Sequence, residues 1–60
     1  MHYDYKYKNK IHEELEDATE IIKQLGRSLR EGKTDLPSAL SNLVAAMDKI
    51  KSARHYLNQE

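Results

Sequence analysis

Apolar residues recur along the chain in two series that a polar segment separates. In the first half they stand alternately four and three residues apart, at Ile11, Leu15, Ala18, Ile22, Leu25 and Leu29. The second half repeats this spacing with Leu36, Leu40, Leu43, Met47, Ile50 and Leu57, and Arg54 stands at the intervening place. Such spacings put each series on one stripe of an α-helix. The pattern therefore predicts two amphipathic helices that pack against each other along these stripes.

The segment between the two series carries the signals that end one helix and start the next. Gly32 suits the left-handed position after a helix, and Arg30 complements the dipole of the last turn. Thr34 or Asp35 can cap the following helix. Pro37 fits its first turn, because N–H groups in the first turn make no hydrogen bond within the helix and the N–H that proline lacks is not needed there. Since the connection is short, we expect the two helices to lie antiparallel.

Together these signals predict an all-α chain with a single domain over residues 1–60. The expected boundaries are a flexible arm at 1–8, a helix at 9–31, a turn at 32–35 and a second helix at 36–58. The predicted fold is an antiparallel two-helix hairpin.

Further apolar side chains outside the two stripes indicate that one hairpin is not the complete assembly. A chain of 60 residues without cysteine buries a small share of its surface and has no disulfide to stabilise it. A second copy would cover the remaining apolar side chains and give a homodimeric four-helix bundle. The predicted dimer interface contains Ile21, Ala39, Val44, Ala46 and Met47.

In length and helix layout this architecture resembles the Rop type of dimeric helical hairpin, a small plasmid-encoded type that binds paired RNA loops. No motif of that type can be matched residue by residue. The resemblance concerns the architecture alone and carries no functional residue to this chain.

Composition and charge exclude several classes of protein. The chain has 10 basic and 10 acidic residues, so its net charge is zero and it has no general attraction for nucleic acid or acidic lipid. The longest uninterrupted apolar run, Leu43 to Met47, is far shorter than the roughly 20 residues of a membrane span. The first residues lack the apolar core of a signal peptide. We expect a cytoplasmic protein without membrane contact, in keeping with the lack of cysteine.

No residue pattern indicates catalysis, a metal or a cofactor. His12 begins a segment similar to a zinc-protease helix, but Glu16 stands where the second histidine would be needed. Neither His12 nor His55 follows a glutamate by three residues, as the ligands of a di-iron bundle do. No serine has an evident histidine and carboxylate beside it. The predicted protein is not an enzyme and has no catalytic, metal or cofactor residues.

Tyrosines and cations gather at one end of the predicted hairpin. Tyrosines alternate with mostly basic residues near the N-terminus, and an antiparallel hairpin places them beside the end of the second helix. Stacking tyrosines among lysines can hold single-stranded nucleic acid, and the same residues can instead cap the core or contact a protein. The candidate binding residues are Tyr3, Tyr5, Lys6, Lys8, Lys10, Lys51, Arg54, His55 and Tyr56.

From these patterns we expect a small non-enzymatic regulator or adaptor, a homodimeric hairpin that presents its helical surface to a protein partner. One alternative is a regulator that binds RNA or single-stranded nucleic acid through the basic, tyrosine-rich end. Another is a small structural subunit of a larger assembly. A further candidate surface is an acidic band on the first helix, formed by Glu13, Glu14, Glu16, Asp17 and Glu20.

Overall fold

The protein is an antiparallel pair of helices, which a computed structural model describes over residues 6–59. Helix α1 spans Lys8–Arg30 and helix α2 spans Leu36–Asn58, each with 23 residues. The two helices pack against each other, which confirms the predicted hairpin. The molecule measures 45 × 19 × 13 Å, so it is a single layer of helices with two broad faces.

The end of α1 is fixed by backbone geometry around Gly32. This glycine has a φ of 67°, in the left-handed region that residues other than glycine rarely adopt. The N–H of Lys33 donates to the carbonyl of Ser28 at 2.9 Å, and the N–H of Gly32 donates to the carbonyl of Leu29 at 3.2 Å. This pair of bonds is the Schellman arrangement, which satisfies carbonyls that the helix would otherwise leave unpaired.

The start of α2 is fixed by Asp35, which is the cap of this helix. Its carboxylate accepts a hydrogen bond from the backbone N–H of Ser38 at 2.9 Å. Pro37 stands in the first turn, where its missing N–H removes no helical bond. With Gly32 ending one helix and Asp35 starting the next, the short turn directs the chain back along α1.

On the α2 side, the helices meet through small side chains and not through the leucine-rich stripe. Ala39, Ala46 and Ala53, spaced seven residues apart on α2, are all buried, and Ala46 is only 2% exposed. They lie against the buried side of α1, where Ala18 is 3% exposed. Residues seven apart form one straight line along a packed helix, so these alanines let the two backbones approach closely over the full contact. We call this contact the alanine contact; on α1 it comprises Ile11, Ala18 and Leu25.

The prediction that the two apolar stripes face each other within the hairpin is therefore wrong for most of their residues. Large side chains of both stripes are between 43% and 72% exposed. The physical reason is that the alanine line lies beside the leucine line on α2, and the smaller residues permit the closer helix approach. The exposed members are Leu15, Ile22, Leu29, Leu36, Leu40, Leu43, Met47, Ile50 and Leu57.

One charged cluster crosses the helix contact. Glu14 is only 5% exposed. Its carboxylate lies 3.1 Å from the Lys10 ammonium and 3.7 Å from that of Lys49, which itself reaches Asp17 at 3.5 Å. The hydrogen bond to Glu14 raises the pKa of Lys10. Because Lys49 comes from α2 and its two acidic partners come from α1, this cluster fixes the alignment of the helices along their length.

The Asp35 cap predicts a specific dependence of stability on pH. The hydrogen bond from Ser38 lowers the pKa of Asp35. The stabilisation by this cap is therefore complete above the pKa of an unfolded aspartate, about 3.9, and is lost as the pH falls through the lower folded-state pKa. Asp35→Ala should lower the melting temperature measured by circular dichroism at neutral pH, because the N–H of Ser38 loses its acceptor.

Asp35→Asn is the matched control, since an amide oxygen can still accept this bond but does not titrate. Its melting temperature should fall less steeply in acid than that of the native chain. Identical acid dependence in the two proteins would contradict the role of Asp35.

Candidate interaction surface

Most exposed apolar side chains of both helices lie on one broad face of the hairpin, whereas Val44 lies on the outer side of α2 beside Ser41 and Asp48. Each of Leu43, Ile50 and Leu57 follows a buried alanine of α2 by four residues. On α1, exposed residues follow Ile11 and the other members of the alanine contact by the same four residues. In an antiparallel pair, positions with the same offset from the contact project to the same side. We call this side the leucine face: Leu15, Ile22, Leu29, Leu36, Leu43, Ile50 and Leu57, with Leu40 and Met47 at its α2 edge.

The opposite broad face is polar. It is formed by the residues directly before those of the alanine contact, which are mostly charged, amide or hydroxyl side chains. The hairpin is thus an amphipathic layer, apolar on one side and polar on the other. The members of this polar face are Lys10, Asp17, Gln24, Glu31, Ser38, Ala45, Ser52 and Gln59.

The leucine face is the largest chemical feature of the surface. Leu40 is 52% exposed and Leu36 is 72% exposed, although residues of this type are among those most often buried in folded proteins. Single exposed leucines need no explanation, but a contiguous apolar strip along both helices is typical of an interaction surface. The side chains left exposed are those that a second layer of protein would cover.

The structure places the five residues of the expected dimer interface in different environments. Ala39 and Ala46 are buried between α1 and α2 of the same chain, and Ile21 is half-buried beside them. Val44 and Met47 are 56% and 53% exposed, so they remain accessible to another molecule. The sequence does contain a signal for this assignment, because the alanines recur at intervals of seven and could have been read as a stripe of their own.

Gly26 stands at the α1 edge of the leucine face, in the interior of the helix. A methyl group at this position would meet no neighbouring atom within 4 Å. Glycine in a helix interior is destabilising by roughly 0.5–1 kcal/mol relative to alanine. The hairpin therefore provides no packing reason for Gly26, which leaves an open groove between Lys23, Arg27 and Arg30.

At the open end of the hairpin, Tyr7, the residue before α1, contacts aromatic side chains of α2. The rings of Tyr7 and Tyr56 lie 5.3 Å apart between centroids, and His55 contacts Tyr56 edge-on at 5.7 Å. The Lys6 ammonium lies 5.4 Å from the centre of the Tyr7 ring, a distance at which cation and ring attract. Tyr3 and Tyr5, which were also expected here, lie outside the described residues. Tyr7 and Tyr56 thus close the end of the helix contact.

The cations predicted at this end divide between two environments. Lys10 is held by the buried Glu14. Lys51, Arg54 and His55 line a shallow open groove on the outer side of α2 together with Asn58, and Lys8 is exposed at the start of α1. The groove is the part of the basic end that can receive an anionic ligand.

The acidic band of α1 divides in the same way. Glu14 points into the helix contact and Asp17 binds Lys49. Only Glu13, Glu16 and Glu20 remain fully on the outer surface, and Glu16 lies 2.9 Å from the Nε2 atom of His12. Over residues 6–59 no three histidine or carboxylate side chains are grouped as they would be in a metal site.

Comparison with known proteins adds no family to this description. Neither a protein-family model, nor a curated protein, nor a solved structure matches the chain. Neither α1 nor α2 is long and apolar enough to cross a lipid bilayer.

The alanine contact can be tested by enlarging one of two neighbouring alanines. Ala46→Leu should destabilise the hairpin by about 1–3 kcal/mol, because the larger side chain separates two closely packed helices. Ala45→Leu is the matched control, since Ala45 is exposed on the polar face. Urea unfolding followed by circular dichroism gives both values. Stabilisation by Ala46→Leu would mean that the helices meet elsewhere.

Proposed function

We propose that this protein is a non-enzymatic interaction module that associates through its leucine face. The observation that carries this proposal is the continuous strip of half-exposed leucine, isoleucine and methionine side chains on one side of a single helical layer. Its rows of side chains run along both helices, which is the shape that receives the ridges of other helices.

The simplest occupant of this face is a second copy of the same chain, as a homodimer. Two hairpins stacked by their leucine faces form a four-helix bundle, in which the exposed apolar side chains become the core. The polar faces, the outer charges of α1 and the two basic ends then remain on the outside. In this proposal the dimer works as a regulator or adaptor, and its outer helical surface binds the partner protein.

The association is tested by adding a charge to the centre of the leucine face. The native chain should sediment at twice its 7.0 kDa mass. Leu43→Glu should shift the equilibrium to the monomer, because a carboxylate without a partner would have to enter an apolar contact. Gln24→Glu is the matched control, since Gln24 is exposed on the polar face of the hairpin.

Sedimentation equilibrium over a range of concentrations provides the measurement. The melting temperature of the native chain should rise with protein concentration, because association stabilises the folded state. The melting temperature of the Leu43→Glu chain should not depend on concentration, even if this chain loses helix when it dissociates. A native chain that stays monomeric would contradict the proposal, as would equal masses for the two glutamate variants.

A second candidate function, nucleic-acid binding, is favoured by one observation. Lys51, Arg54 and His55 line the same open groove beside the stacked tyrosines. If this groove binds single-stranded RNA, affinity should fall steeply with salt, because each neutralised phosphate releases a counterion. Lys51→Gln with Arg54→Gln should reduce the slope of log K against log salt concentration by about 1.4, since each phosphate contact on a single strand contributes about 0.7.

The control for this experiment is Lys33→Gln, which removes a cation at the opposite end of the hairpin, where Lys33 lies 3.2 Å from Glu31. Fluorescence anisotropy with a labelled oligonucleotide gives the slopes. Binding that is absent at low salt, or unaffected by the groove variants, would rule this second function out.

A further inference from the structure

We propose that, in the dimer, α1 of each copy packs on α2 of the other, so that both turns lie at the same end of the bundle. The inference rests on the proposed function, because it assumes association through the leucine face. It adds which helix of one copy contacts which helix of the other, and therefore which ends of the two copies lie together.

Two symmetric ways exist to stack two such layers face to face. If the two-fold axis runs along the helices, α1 covers α2 of the second copy and both turns lie at one end. If the axis runs across the helices, each helix covers its own counterpart and the turns lie at opposite ends. Neighbouring helices are antiparallel in both bundles, so helix dipoles do not distinguish them.

In the same-end bundle, the alignment within one hairpin also aligns the two copies. Lys49 lies 3.7 Å from Glu14 and 3.5 Å from Asp17, so it stands at the level of the α1 turn between these two residues. At this alignment, each large residue of α1 on the leucine face stands level with one of α2. The facing pairs across the two copies are Leu15 with Ile50, Ile22 with Leu43, and Leu29 with Leu36.

Side-chain size at the edges of the leucine face favours this bundle. The α1 edge carries small residues, Thr19 and Gly26, whereas the α2 edge carries Leu40 and Met47. In the same-end bundle Gly26 faces Leu40 and Thr19 faces Met47, so a large residue meets a small one at these two levels. Close packing of this kind is what the interiors of proteins require. At the third level, near the open end, His12 faces Arg54.

The opposite-end bundle pairs these residues by like size. Thr19 would face Gly26 between the two α1 helices, and Leu40 would face Met47 between the two α2 helices. One pair of helices would then stand close and the other far apart, although all four belong to one core. Charge favours neither bundle consistently: Glu16 meets a cation in each, Lys51 in the first and Arg30 in the second. The two copies of Lys23 meet only in the second bundle, and His12 meets Arg54 only in the first.

Gly26 provides the independent support for this arrangement. Within the hairpin it has no packing role, because open space surrounds the position of its missing side chain. In the same-end bundle that space receives Leu40 of the second copy. A helix residue that is unfavourable in the isolated chain thus becomes the place where the second copy fits.

The arrangement is measured by the distance between spin labels on the two copies. The chain has no cysteine, so each label site is unique. Labels at Lys33→Cys, in the turn, should lie within about 25 Å of each other in the same-end bundle. In the opposite-end bundle they would be about 40 Å apart, because a helix of 23 residues is about 35 Å long. Gln24→Cys, near mid-height, is the control and should give similar distances in both.

Double electron–electron resonance separates the outcomes. A short distance at Lys33→Cys supports the inference, and a long distance overturns it while leaving the dimer intact. Absence of any dipolar coupling at both sites overturns the proposed function itself.

A pair of substitutions tests the role of Gly26 by a different route. Gly26→Leu should weaken dimerisation at least tenfold, because Leu40 of the second copy loses its space. Adding Leu40→Ala to the same chain should restore most of that affinity. In the opposite-end bundle Leu40 does not face Gly26, so Leu40→Ala would give no rescue, and that result would overturn the inference.

Discussion

The close approach of the two helices through alanine determines every other property of this surface. Ala39, Ala46 and Ala53 occupy the line of α2 that faces α1. Because they take this place, the leucines beside them turn to one broad side of the layer. A hairpin that met through its leucines would bury most of its apolar area and present two polar faces. The small residues instead produce a thin layer with one exposed apolar face.

The charged cluster around Glu14 has a different role from the alanines. Burying a carboxylate adds little to stability, since desolvation offsets much of the attraction between the charges. The cluster does select one alignment, because Lys49 reaches both Glu14 and Asp17 only at one level of α1. The levels at which apolar residues stand on the two helices are thereby fixed as well. In the same-end bundle proposed above, the alignment within one chain would therefore also align the two copies.

Local signals made much of the fold predictable from sequence. Gly32, Asp35 and Pro37 act through their own backbone or their nearest neighbours, and the structure shows the conformations that their chemistry favours. Local signals did not determine which of the two adjacent stripes of α2 faces α1. A search for apolar periodicity counts alanine and leucine equally, whereas packing depends on how closely the two helix backbones can approach. For this reason the alanines were assigned to an interface between chains. The contact of Tyr7 with Tyr56 depends on how the two helices align, so the sequence located these tyrosines only to one end of the hairpin.

The shortness of the turn between α1 and α2 has a kinetic consequence. The Schellman bonds of Gly32 and Lys33 and the cap at Asp35 are all formed within eleven residues of chain, Ser28 to Ser38. Contacts between the helices begin next to this turn and extend outward, so the chain closes small loops before large ones and the entropy lost at each step is low. Hairpins of this kind form within microseconds to milliseconds. A newly made chain would therefore be folded into its layer before it meets another molecule, and the encounter, which depends on concentration, would set the pace of assembly.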